Sequence, residues 1–285
     1  MKKYYLFIAL AMVAAMTVSC KNNNKKAKEA AEATEEVVEA AKTILADDVL
    51  ATLDEIAKPF IDDAGKVEAY RIIADNLTPE EKMVKPDYLM DPSEVDNMIT
   101  KSQKVNALAV LVIERFIRQV YDMPVEESEA AIARLVADID IPNVNNGENQ
   151  DLSIAKKAAE NYRLFKERGD LPLFWQFQFA LINESAFLIS QNPDPFFRNL
   201  TEEQYATFNG RIISCYAAVE ELAKYDEEVA ASLKVFQDNM TVSTQEEAEK
   251  VYSSLATAKQ AIINSKDVIA ARRAALLKHR RSQFP

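Results

Sequence analysis

Two stretches of the chain are apolar on nearly every face of a helix. They are Val105 to Ile113, VNALAVLVI, and Leu171 to Ile189, LPLFWQFQFALINESAFLI. A helix that is hydrophobic all round is central in a large domain or lies in a membrane. The first run is only nine residues long, and Gln176, Gln178, Asn183 and Glu184 interrupt the second. A transmembrane helix needs about 20 consecutive apolar residues, so both read as central core helices. Elsewhere the apolar positions recur at helical spacing. Val37, Ala41, Ile44, Leu45 and Ala51 predict a helix that docks on the core, and Pro59 is expected to kink or end it. Ala248, Val251, Leu255, Ala258, Ile262, Ser265, Ile269, Arg272 and Leu276 alternate spacings of three and four, predicting one long heptad helix packed within the same chain.

Polar residues punctuate this pattern. Asp91-Pro92-Ser93-Glu94 combines an N-cap acid, a proline in the first turn and a glutamate at the third position. Thr78-Pro79-Glu80-Glu81, Thr201-Glu202-Glu203-Gln204 and Thr244-Gln245-Glu246-Glu247 fit the capping box, in which hydroxyl and carboxyl or amide satisfy the backbone donors that a helix start leaves open. Ile141 to Gln150, IPNVNNGENQ, reads as a loop, either a sub-boundary between two helical halves or a connection within one bundle; the second is favoured. Gly65, Gly147, Gly169 and Gly210 are the only glycines, too few for the tight turns of a sheet protein. The expected fold is all-α, a single irregular multi-helix bundle of about seven to nine helices. An α-solenoid is the alternative, though no repeat of about 30 to 50 residues is visible.

The N-terminus changes the picture. Met1-Lys2-Lys3 is basic, Tyr4 to Val18 is uncharged and almost wholly apolar, and Ser19 precedes Cys20. That order is a secretory signal peptide, to be excluded from fold reasoning. Thr17-Val18-Ser19-Cys20 resembles the lipobox of bacterial lipoproteins, with Thr17 where that motif usually carries Leu. The resemblance covers these residues alone. It implies cleavage before Cys20, lipidation of that thiol, and a body tethered to a bacterial membrane, the outer one being favoured, in the periplasm or at the cell surface. Ordinary cleavage after Ser19 is the alternative. The chain then divides into a signal peptide (1–19), a lipid-anchored tether with an exposed helix start (20–36) and a helical domain (37–285).

Charge and cysteine content narrow the function. Loss of Lys2 and Lys3 takes the formal charge from −11 to −13, which argues against nucleic acid as a partner. Cys215 is then the one thiol besides the anchor, so no internal disulfide is available, and its apolar setting reads as a small buried hydrophobe. His279, the single histidine, is followed by Arg280, Arg281 and Ser282, so neither HExxH nor the H-x-x-E signature of imelysin-like exported proteins is present. Zinc, haem, nucleotide and catalytic-triad motifs are likewise missing, and no cofactor or metal is expected.

The candidate chemistry lies in the apolar helices. Glu114, Arg115, Arg118, Trp175, Gln176, Asn183 and Glu184 would form either a buried polar layer that fixes helix register or a ligand pocket. Arg272, Arg273, Lys278, Arg280 and Arg281 make the C-terminus basic, either complementing a helix end or contacting anionic head groups or an acidic partner. These observations favour a non-enzymatic scaffold or interaction lipoprotein of the cell envelope, monomeric in its body, with an unidentified envelope protein as partner. The alternatives are a small-molecule or glycan-binding lipoprotein and a carboxylate-based hydrolase.

Overall fold

A computed structural model describes residues 45–141, 154–240, 247, 250–252 and 254–278. Thirteen helical segments and no strand are found among them. In chain order they are α1 (Asp47–Asp62), α2 (Ala69–Asn76), α3 (Pro79–Met83), a 3-10 turn (Pro92–Asn97), α4 (Lys101–Val120), α5 (Glu126–Ile139) and α6 (Ile154–Glu167). There follow α7 (Leu171–Gln191), α8 (Pro193–Phe197), α9 (Glu202–Leu222), α10 (Glu227–Asp238), α11 (Leu255–Asn264) and α12 (Lys266–Lys278). The all-α bundle expected from the sequence is what is observed. The segments outnumber the expected seven to nine because α3, α8 and the 3-10 turn are very short and because the C-terminal heptad helix is divided.

α7 is the axis of the fold. Every residue from Leu171 to Ser190 is buried, and α4, α9, α12, α2, α6, α10, α11 and α8 all pack against it. Nothing in its composition would let one face meet water, so the chain must surround it. α4 is the second central helix, buried at almost every position from Ser102 to Arg115. α1 packs on α9 and α6 through Val49, Leu53, Ala57 and Phe60. Elements before and after the 141–150 segment therefore share one core. No described helix is long and apolar enough to cross a membrane.

Capping chemistry starts the helices where the sequence suggested. Thr78 and Thr201 complete reciprocal capping boxes with Glu81 and Gln204, and Asp91 accepts from the Ser93 amide, although the element it opens is a 3-10 turn. A further box, Thr100 with Gln103, opens α4 and went unremarked in the sequence. The Thr244 box lies outside the described residues, as do Val37, Ala41 and Ile44. Gly169, at φ +70°, ends α6 in the left-handed conformation that glycine tolerates without penalty.

Three expectations are corrected. Ala51 faces solvent, because the buried stripe of α1 runs through Val49 and Leu53 instead. Pro59 does not end α1, which runs on to Asp62 without the bond that an N–H at position 59 would make four residues back. The heptad helix breaks at Ser265, which caps the end of α11. The stripe still holds across the break, with Ala258, Ile262, Ile269, Arg272 and Leu276 all buried. Two short helices thus share the face that one long helix was expected to present.

Candidate functional site

Two polar layers interrupt the apolar packing of α4 and α7. In the first, Gln176 Nε2 of α7 donates to Ser102 Oγ of α4 and Ser232 Oγ of α10, each at 3.2 Å, and the two serines lie 3.2 Å apart. In the second, Arg273 of α12 reaches both central helices at once. Its terminal guanidinium nitrogen donates to Glu114 Oε1 at 2.5 Å and its Nε to Glu184 Oε2 at 2.7 Å. Glu114 is 0 % exposed and Glu184 1 %. The order of these contacts shows α4 and α7 running the same way, with the layers about 18 Å apart along α4 at 1.5 Å per residue.

The acid pair is held from further sides. Glu114 Oε2 accepts from the Met90 amide at 2.7 Å, and Arg118 donates to the Met90 carbonyl at 2.7 Å. The segment between α3 and the 3-10 turn is thereby strapped along α4. The Phe187 ring lies 4.3 Å from the Arg273 guanidinium. Burial and the facing Glu184 carboxylate push the Glu114 carboxyl well above the usual carboxylate range, against the pull of Arg273, and burial pushes Glu184 the same way. Arg273 loses hydration on burial, but Glu184 and Glu114 more than compensate and hold its pKa above the usual value.

The seven residues singled out in the apolar helices are thus divided. Glu114 and Glu184 meet on Arg273, and Arg118 joins them through Met90. Gln176 belongs to the serine layer. Arg115 turns toward α5, 3.5 Å from Glu129, with its guanidinium over Phe116. Trp175 is 0 % exposed and packs edge-on against Phe60 and Phe174, each with centroids 5.1 Å away. Asn183 donates to the Phe179 carbonyl of its own helix at 2.8 Å. Buried polar layers between helices are observed, while Trp175 and Glu184 belong to separate neighbourhoods.

The basic C-terminal group is also divided. Arg272 and Arg273 turn inward, because the heptad stripe that buries Ile269 and Leu276 carries them onto the same side. Arg272 lies 4.5 Å over Phe236, and burial lowers its pKa to about 10. Neither is presented for surface contact with anions, which corrects that expectation for both. Lys278 is exposed. Arg280, Arg281, His279 and Cys20 lie outside the described residues.

A second buried charge pair was missed by the sequence reading. Glu68, just before α2, lies 3.8 Å from Arg211 of α9, and the Arg211 guanidinium sits 4.7 Å from the Phe60 ring. Burial pushes Glu68 up to about 8 and Arg211 down to about 10. The available signal was helical spacing: Arg211 falls between Phe208 and Cys215 on a buried face. Cys215, one turn on, is itself fully buried, and burial raises its thiol pKa well above the usual value. It behaves as the small hydrophobe expected.

No group of three metal-binding side chains occurs among the described residues. No family model, curated protein or solved structure matches the chain.

Proposed function

We propose that this protein is an interaction or scaffold lipoprotein of the cell envelope, tethered through Cys20 and performing no chemistry of its own. One observation carries the reading: the polar side chains that could have served a ligand are spent on one another. Gln176 is committed to two serines, and Glu114 and Glu184 are committed to Arg273, all inside a packed core. A carboxylate hydrolase needs two acids facing an open cleft at a separation of about 5 to 9.5 Å, whereas this acid pair faces inward. Contact with a partner then falls to the outer surface, where Met83, Val84 and Ile99 are the most exposed large apolar side chains among the described residues, at 74 %, 73 % and 81 %. They sit at the two ends of the strap that runs along α4, with Lys85 bonded to the Tyr121 carbonyl at one end and Thr100 capping α4 at the other. The test is photo-cross-linking from positions 83 and 99 in the native membrane at natural expression level, with position 58 as an exposed polar control, read by mass spectrometry. A single defined envelope protein captured from 83 or 99 and not from 58 is expected. A protein that stays uncross-linked and monomeric in every condition overturns the reading.

A further inference from the structure

Two carboxylates and one guanidinium meet in the core, each from a different helix, so the buried charges do not cancel. The imbalance shows in the hydrogen bonds. Glu114 Oε1 and Glu184 Oε2 both accept from the one Arg273 guanidinium, at 2.5 and 2.7 Å, which brings the two carboxyls face to face. An ionised carboxylate only accepts, so two of them cannot bond without a proton between them. Glu184 Oε1, buried, has no donor among the described residues. One shared proton resolves both facts: it supplies the missing donor and leaves one negative charge opposite one positive charge.

We propose that Glu114, Glu184 and Arg273 form a proton-dependent clasp that holds α12 onto α4 and α7. With the proton in place the layer is neutral and closed. When it leaves, a net negative charge stays in a site closed off from bulk solvent, and a buried unbalanced charge is far costlier than an exposed one. The cheapest relief is to let the last helix lift, because α12 contributes the cation and, being short, closes over α7, α4 and α10 from one side. The remaining groups around the pair do not replace the proton. Arg118 of α4 lowers the Glu114 pKa and its Nε is buried without a partner, but it bonds the Met90 carbonyl and forms no ion pair with either acid. Tyr88 of the strap is a neutral phenol whose hydroxyl accepts from Asn192 Nδ2 at 2.8 Å, and burial raises its pKa. Glu94 of the 3-10 turn acts on Arg273 and adds negative charge. On α10, Phe236 meets Arg272 rather than the acid pair. The direction of both carboxyl shifts, upward, agrees with a retained proton.

Hydrogen exchange of the full-length chain tests the clasp, comparing protection in α12 with that in α9 after correction for the intrinsic rate at each pH. Between about pH 6 and about pH 9, protection across residues 266–278 is expected to fall by at least about tenfold relative to 202–222. The Glu184→Gln variant carries a neutral amide that can donate to Glu114 as the proton does, and there the fall is expected to stay under about threefold. A pH-independent α12 in the parent protein, an equal fall in the variant, or an equal loss in both helices would each overturn the proposal. Should Glu184→Gln fail to fold, the infrared carbonyl band of a protonated carboxylic acid decides in the parent chain. Measured on a Glu68→Gln background, it should persist at about pH 6 and vanish by about pH 9, and its absence at the lower pH sinks the clasp.

Discussion

Arg273 answers two acids at once, so its removal should cost more than the loss of an ordinary ion pair. We expect Arg273→Met, which keeps much of the volume, to destabilise the protein by about 3–5 kcal/mol near neutral pH, because an uncompensated buried charge is left behind. The sign of the pH dependence is fixed by the direction of the shifts. Glu114 and Glu68 hold protons when folded up to about 8 that they release near 4.5 when unfolded. Their contribution is complete below about 4.5 and is lost as pH rises through about 8. Urea titrations should therefore show the Arg273→Met penalty shrinking as pH falls below about 4.5, where the carboxyls are protonated in both states. A penalty that does not change with pH would refute the charge account. At this scale the sequence was half legible. Charged residues inside apolar runs announced Glu114 and Glu184, since a charge there must find a partner. Their partner could not be read, because Arg273 lies 159 residues from Glu114 and local sequence does not tell it from the adjacent Arg272.

Helix starts are written locally, and the element scale is where the sequence spoke most clearly. Thr78 and Thr201 could be found because their capping partners lie three residues away. The box at Thr100 is equally local, with Gln103 three residues on. Gln103 does two jobs in it: its Oε1 accepts from the Ile99 and Thr100 amides, and its Nε2 donates to the Leu277 carbonyl at 3.2 Å. Asn106 reaches the adjacent Leu276 carbonyl at 3.5 Å. The final turn of α12 thus hands its open acceptors to the first turns of α4. Thr100→Ala should cost about 1 kcal/mol, the usual value of a cap. Gln103→Ala should cost about 1 kcal/mol more, since it also orphans a buried acceptor. Equal midpoints in denaturant for the two variants would mean that the α12 contact contributes nothing. The break at Ser265 could not be foreseen, because an unbroken heptad pattern is compatible with one helix or with two that share a face.

The whole molecule depends on α7 being enclosed from all sides, and its single tryptophan reports on that enclosure. Trp175 is fully buried between α1, α6 and its own helix. Its fluorescence should shift to longer wavelength on unfolding, in one transition coincident with the loss of far-UV circular dichroism. Two separated transitions would mean that the halves on either side of 141–150 fold apart. The fold class was visible from glycine scarcity and helical periodicity, whereas the arrangement around α7 was not. An all-apolar helix says that it must be covered without saying by what.

The triad also has a consequence for the order in which the chain can mature. Its cation arrives last. While the chain is made from its N-terminus, α4 and α7 emerge before Arg273, with two acids destined for the same interior point. Unless both take up a proton, those acids must stay hydrated, and the centre of the bundle is then expected to stay open until α12 follows. A growing chain is thus kept from closing prematurely around an incomplete core, and a version cut before residue 266 should remain a loose, protease-sensitive intermediate.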